Sequence, residues 1–175
     1  MTGIRKGLSR VEVSLKWDPS PAGSPAHDLD LVAAVYPVEA PHGEPLQVVH
    51  YGQRSPDGTI TLSRDSRTGQ GFGWDEVMRL ELDRLPDRAG RVVVGAVIQD
   101  RAGRVDFGAV AGVAARVAEG PEVLAEEALG RLGEATAAVL AEFTRGAGGG
   151  WELRAGVRGF AVDPEEFTRV MGAAA

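Results

Sequence analysis

Glycine and proline punctuate this chain so often, 24 and 10 times in 175 residues and without gathering in one tract, that it reads as many short strands joined by turns. Between the interruptions the apolar pattern has a period of two. Val11-Glu12-Val13-Ser14-Leu15-Lys16-Trp17 alternates apolar and polar residues, the pattern of a half-buried strand. Leu29 to Tyr36 is an apolar, β-branched run stopped by Pro37, and Leu46 to Tyr51 is another. Ser55-Pro56-Asp57-Gly58 supplies a turn before a strand over Thr59 to Ser63. Met78 to Leu82 alternates again within a strand expected over Val77 to Leu82, and Arg91 to Gln99 is a nearly continuous Val/Ala/Ile run suited to a central strand buried on both faces. These segments predict a mainly β protein with a sheet-on-sheet core.

Residues 119–145 pull the other way, because Ala, Leu and Glu favour helix. Gly130, Gly133 and the β-branched Thr136 and Val139 oppose it, and Ala137 to Phe143 with Trp151 to Ala155 forms an alternative hairpin across Gly148 to Gly150. Composition leaves helix and strand both open there. Asp163-Pro164-Glu165-Glu166 is a clearer signal. It offers an N-cap, a first-turn proline and acids at the positive end of a short C-terminal helix reaching about Met171.

The length suits a single domain over 1–175 with a substantial core. A net charge of −6 gives no general attraction to phosphate backbones or anionic lipid, so nucleic acid is not an expected partner. Without cysteine there are no disulfides, zinc–thiolate sites or thiol nucleophiles. No signal-like start and no apolar run near the roughly 20 residues of a membrane span is present, and the expected location is cytoplasmic.

Chemistry concentrates in two acidic elements. Asp65 to Glu76 sets carboxylates at both ends of a segment with alternate glycines, whose free backbone can turn carbonyls inward. Calcium takes about 6–8 hard oxygen ligands in flexible geometry, which such a loop supplies. It is not an EF-hand, since Arg67 and Gly69 stand where side-chain oxygens are needed and the sixth residue is Gln70. The second element, Asp28-Leu29-Asp30, opens a strand, and period two sends both carboxylates to one face. Its plain alternative is a solvated strand end; for the glycine segment it is an ordinary surface loop.

Four segments in series resemble the tellurium-resistance TerD family: HDLDLVAAVY (27–36), SPDG (55–58) with SRDSRTGQGFGWDEVMRLEL (63–82), VDFGAVAGVAARV (105–117) and GGGWELRAGVRGF (148–160). Their order and spacing hold from about Lys6 to Gly172. The resemblance implies a two-sheet antiparallel β-sandwich with short helices, and it favours strands over 134–155. It also implies a role in resistance to tellurite and other chemical stress, with Ca2+ as the bound ion and proteins of the same stress system as partners. The metal ligands it implies are Asp28, Asp30, Asp65, Asp75 and Glu76, with backbone oxygens near Thr68, Gly69 and Gly71. The family usually has further acids where this chain has Gln70, Phe72 and Trp74, which removes charge from the loop.

Other sites are weaker. Asp-x-Asp also anchors metal in glycosyltransferases, but the α/β crossovers of such enzymes are missing from the pattern. His27, His42 and His50 have neither metal-ligand spacing nor a partnering serine, and read as surface or strand-edge residues. Trp17 and Trp151 read as core, whereas Trp74 has an exposed contact as its competing role. Arg84, Arg88, Arg91, Arg101 and Arg104 flank turns and are expected mostly in solvent. The expected function is a non-enzymatic, calcium-binding stress protein acting as a binding or scaffold module. The alternative is a calcium-independent interaction module whose patch includes Phe72 and Trp74; a metal-dependent phosphate enzyme ranks third.

Overall fold

The computed structural model describes residues 4–51, 53–64, 73–99 and 105–173. Among the described residues eleven strands form two antiparallel sheets. The strands are β1 (Ile4–Leu8), β2 (Arg10–Lys16), β3 (Leu29–Pro37), β4 (Gln47–Val49), β5 (Ile60–Arg64), β6 (Glu76–Glu81), β7 (Ala89–Ile98), β8 (Ala114–Glu119), β9 (Glu122–Ala128), β10 (Ala137–Arg145) and β11 (Trp151–Phe160), followed by helix α1 (Pro164–Val170). The first sheet has the order β1-β11-β10-β7-β3-β4 and the second β5-β6-β2-β8-β9. Short 3-10 turns occupy Leu82–Arg84, Phe107–Ala109 and Gly130–Leu132.

Alternation along the strands sorts side chains into layers. Leu29, Leu31, Ala33 and Val35 of β3 and Val92, Val94, Ala96 and Ile98 of β7 face the space between the sheets. There they meet Val11, Val13 and Leu15 of β2 and Met78 and Leu80 of β6. The other face of β3 and β7 sends Val32, Ala34, Tyr36, Val93 and Val97 under α1, against Phe167 and Met171. The centre of the first sheet is thus covered on both faces, which is why its central strands read as unbroken apolar runs. The outer face of the second sheet is charged, with Arg79 and Glu12 paired at 2.9 Å across directly opposed positions.

The strand reading prevails over helix in 119–145. Pairing with β7 and β11 buries Ala137 to Ala141, and a register shift between Val139 and Ala141 turns Leu140 and Ala141 both inward while Ala137 and Val139 stay under α1. An alanine-rich strand buried on both faces copies helix composition, and only its sheet partners settle the matter. Helix α1 begins as expected: the Asp163 carboxylate accepts from the Glu166 N–H at 2.8 Å, with Pro164 in the first turn. Gly95 on β7 makes room for it, since a Cβ there would lie 2.5 Å from Cζ of Phe167.

One expectation needs correction. Arg91 is not a solvated turn residue; it is 3% exposed, with Nε 2.7 Å from Glu142 Oε1 and Nη1 2.8 Å from the carbonyls of Pro41 and Gly172. The turn after Asp87 is shorter than the composition suggested, so β7 starts at Ala89 and carries Arg91 under the C-terminal segment. Arg84 and Arg88 are exposed as expected, and Arg101 and Arg104 lie outside the described residues. The acidic strand entry at Asp28 and Asp30 is buried, which removes its plain alternative of a solvated strand end.

Candidate functional site

Asp28, Asp30, Asp75 and Glu76 are 7%, 4%, 5% and 0% exposed. Carboxylates are seldom buried without polar partners, and two backbone N–H groups and a side-chain amide serve here. Asp75 lies just before β6; its own N–H reaches the Leu15 carbonyl at 2.9 Å, and its Oδ2 accepts from the Trp17 N–H at 2.9 Å. The Trp17 indole in turn donates to the His27 carbonyl at 3.1 Å, tying the end of β2 to the segment leading into β3. Glu76 Oε1 accepts from the Leu31 N–H at 2.7 Å. Strand β4 pairs only with Ala33 to Val35, so Glu76 takes the edge of β3 that β4 leaves open at Leu31. Just past the end of β7, Gln99 donates its backbone N–H to the Asp28 carbonyl at 2.8 Å and its side-chain amide to Asp30 Oδ2 at 2.7 Å.

These bonds bring the entries of β3 and β6, one from each sheet, to the same corner of the sandwich. Four of the expected ligand residues therefore share a corner: Asp28, Asp30, Asp75 and Glu76. Asp65, Thr68, Gly69 and Gly71 lie outside the described residues. The described flank Arg64 is the register partner of Glu76, so the glycine-rich segment is joined to the chain at this corner. Among the described residues no three His, Asp or Glu side chains converge as a metal site on their own. The donor set is nevertheless of one kind: carboxylate oxygens, the hard ligands that suit calcium.

Asp30 shares the outer face of its sheet with Val32 and also lines a groove of about 340 Å³ walled by His50, Tyr51, Gln99 and the start of α1. Sequence reading did not single out Trp17, Gln99 or the His27 carbonyl as supports of the corner. Gln99 carried a signal, as the polar residue ending the β7 run. His42 contacts the Gly172 carbonyl through Nδ1 at 3.1 Å, and His50 forms an isolated bridge with Gln53. Trp17 and Trp151 are both core residues, 2% exposed. No described helix is long and apolar enough to cross a membrane.

Comparison with known proteins places the chain in a family. The TerD domain model matches residues 1–169. The tellurium resistance protein TerD of Alcaligenes sp is 29% identical over 87 residues, 49% of this chain and 45% of that protein. General stress protein 16U of Bacillus subtilis (strain 168) is 30% identical over 95 residues, 53% of this chain and 49% of that protein. The chain thus matches about half the length of these curated relatives. Among solved structures, a homologue of telluride resistance protein (TerD), SCO6318 from Streptomyces coelicolor A3(2), superposes with a TM-score of 0.93 at 51% identity, covering 97% of this chain and 100% of that one. SAV2460, a protein of unknown function, gives 0.94 at 50% identity over 97% and 99%. With the match running through nearly the whole chain, the protein belongs to the TerD domain family.

Proposed function

We propose that this protein is a calcium-binding, non-enzymatic module of the tellurite and chemical-stress type, acting in the cytoplasm by presenting a surface to other proteins of the same stress system. The observation that carries the reading is the burial of Asp28, Asp30, Asp75 and Glu76 at one corner beside the attachment of the glycine-rich segment. Gathering carboxylates in a poorly hydrated place costs Coulomb energy, which a divalent cation offsets.

The residues that would hold the ion are Asp28, Asp30, Asp75 and Glu76, with Asp65 and oxygens of Thr68, Gly69 and Gly71 completing the shell. Bound calcium would supply charge neutralisation and a fixed centre for oxygen ligands. The chain's own part is orientation: the Trp17 and Leu31 N–H groups hold one oxygen each of Asp75 and Glu76, and Gln99 holds Asp30. A metal-independent interaction module has one observation in its favour, since these same bonds give the acids a purely structural role.

The cellular test uses a double substitution, Asp30→Asn with Glu76→Gln, which keeps each hydrogen-bond acceptor while removing charge. Cells relying on it should survive tellurite no better than cells lacking the protein, at equal protein level. Full protection by the double variant would contradict the calcium reading.

A further inference from the structure

Trp74 joins the glycine-rich segment to the Asp75–Glu76 pair, and its surroundings give it a task. Gly73, just before it, has φ +82°, a left-handed turn that any side chain would strain. Beyond that turn the indole lies half-buried against two cations: Lys16 Nζ is 4.8 Å and Arg116 Cζ 4.6 Å from the ring centroid. Lys16 belongs to β2 and Arg116 to β8. Their register partners are Ala114 and Ser14, which makes them diagonal neighbours across the two strands. Alone they would repel each other; the electron-rich ring attracts both. Buried Nε of Arg116 has no hydrogen-bond acceptor among the described residues, in keeping with a guanidinium engaged through its face.

We propose that Trp74 is a positioning residue, a clasp that locks the entry of β6 onto the second sheet and so pre-orders Asp75 and Glu76. This rests on the calcium reading for its purpose and on the metal-free geometry for its existence. The next two residues make the bonds that define the corner, Asp75 to the Trp17 N–H and Glu76 to the Leu31 N–H. Strand ends fray when nothing holds them. Anchoring position 74 lowers the entropy that ordering the pair must overcome, which raises affinity without adding a ligand. Trp74 therefore has cation contacts within the molecule that do not depend on a partner.

The test compares wild type, Trp74→Phe, Trp74→Ala and Arg116→Gln. In chelator-treated protein, amide hydrogen exchange read by NMR should speed up about tenfold at Trp17 and Leu31 in Trp74→Ala, and by less in Trp74→Phe and Arg116→Gln, while β7 amides keep their protection. In calorimetric titration the calcium Kd should rise about tenfold in Trp74→Ala and partly recover in Trp74→Phe. Unchanged exchange at Trp17 and Leu31 in both Trp74→Ala and Arg116→Gln overturns the clasp. Faster exchange with an unchanged Kd overturns its role in metal binding. A wild-type chain that binds no calcium overturns the calcium reading, and the exchange measurement still decides the clasp.

Discussion

Replacing Arg91 by alanine should destabilise the fold by about 3 kcal/mol and lower its melting midpoint by roughly 6–12 °C for a chain of this size. The magnitude follows from what the guanidinium does. It is 3% exposed, pairs with Glu142 through Nε, caps the carbonyls of Pro41 and Gly172 through Nη1, and lies 5.3 Å from the centroid of the Tyr36 ring. Truncation strips donors from three oxygens at once and leaves a carboxylate beside an apolar layer. Glu142 retains some solvent contact, at 23% side-chain exposure, which places the effect at the lower end of the range for buried pairs.

Lysine should not rescue it, because a single ammonium cannot reproduce the fork that serves Glu142 and two carbonyls. Burial pushes the Tyr36 hydroxyl above its ordinary value, and the Arg91 charge beside it tempers the rise. In Arg91→Ala the Tyr36 titration should therefore move further up, readable by ultraviolet difference spectroscopy. Being raised, this tyrosine favours folding below its unfolded pKa, and the contribution fades as pH climbs through the folded value. A melting midpoint within 2 °C or so of wild type would contradict this account of the C-terminal anchor.

The second large effect is metal linkage. If calcium binds the folded chain alone, stability rises by RT ln(1 + [L]/Kd), about 2.7 kcal/mol at a hundredfold excess over Kd, or roughly 5–11 °C in melting midpoint. Magnesium should do less, because its strict octahedral shell and slow dehydration suit a loop-carbonyl site poorly. Asp30→Asn and Asp75→Asn should each shrink the calcium shift. Both keep an oxygen for their present partners, Gln99 and the Trp17 N–H, and both relieve like-charge crowding. The metal-free variants should therefore melt within about 1 kcal/mol of wild type or above it. Loss of the calcium shift together with collapse of the metal-free fold would instead mark these acids as structural acceptors.

How much of this was legible in the sequence depends on the range of the interaction that decides it. Strands β2, β3, β5, β6 and β7 were readable within two residues at each end, because period-two patterns and Pro–Gly turns are local. The third segment shrank to Gln47–Val49, as only three of its residues pair with β3. Strand β10 was ambiguous because its alanines are explained by β7, β11 and α1, all distant in sequence. Arg91 was misplaced for a related reason: a cation among turn signals looks solvated until the C-terminal carbonyl at Gly172 arrives to cover it. The acids of the corner were found from charge and spacing, but their burial was not, since it arises where two sheets meet. Trp74 shows the same gap, because a tryptophan amid glycines looks exposed unless Lys16 and Arg116 are known to flank it.

The most direct test of the central claim is isothermal titration of calcium into chelator-treated wild-type protein, alongside Asp30→Asn. The account predicts saturable binding of at least one ion per chain, with magnesium weaker and with affinity falling by about tenfold or more when the Asp30 charge is removed. No heat of binding and a melting curve unmoved by millimolar calcium would contradict it, leaving the buried acids as hydrogen-bond acceptors of a metal-free interaction module.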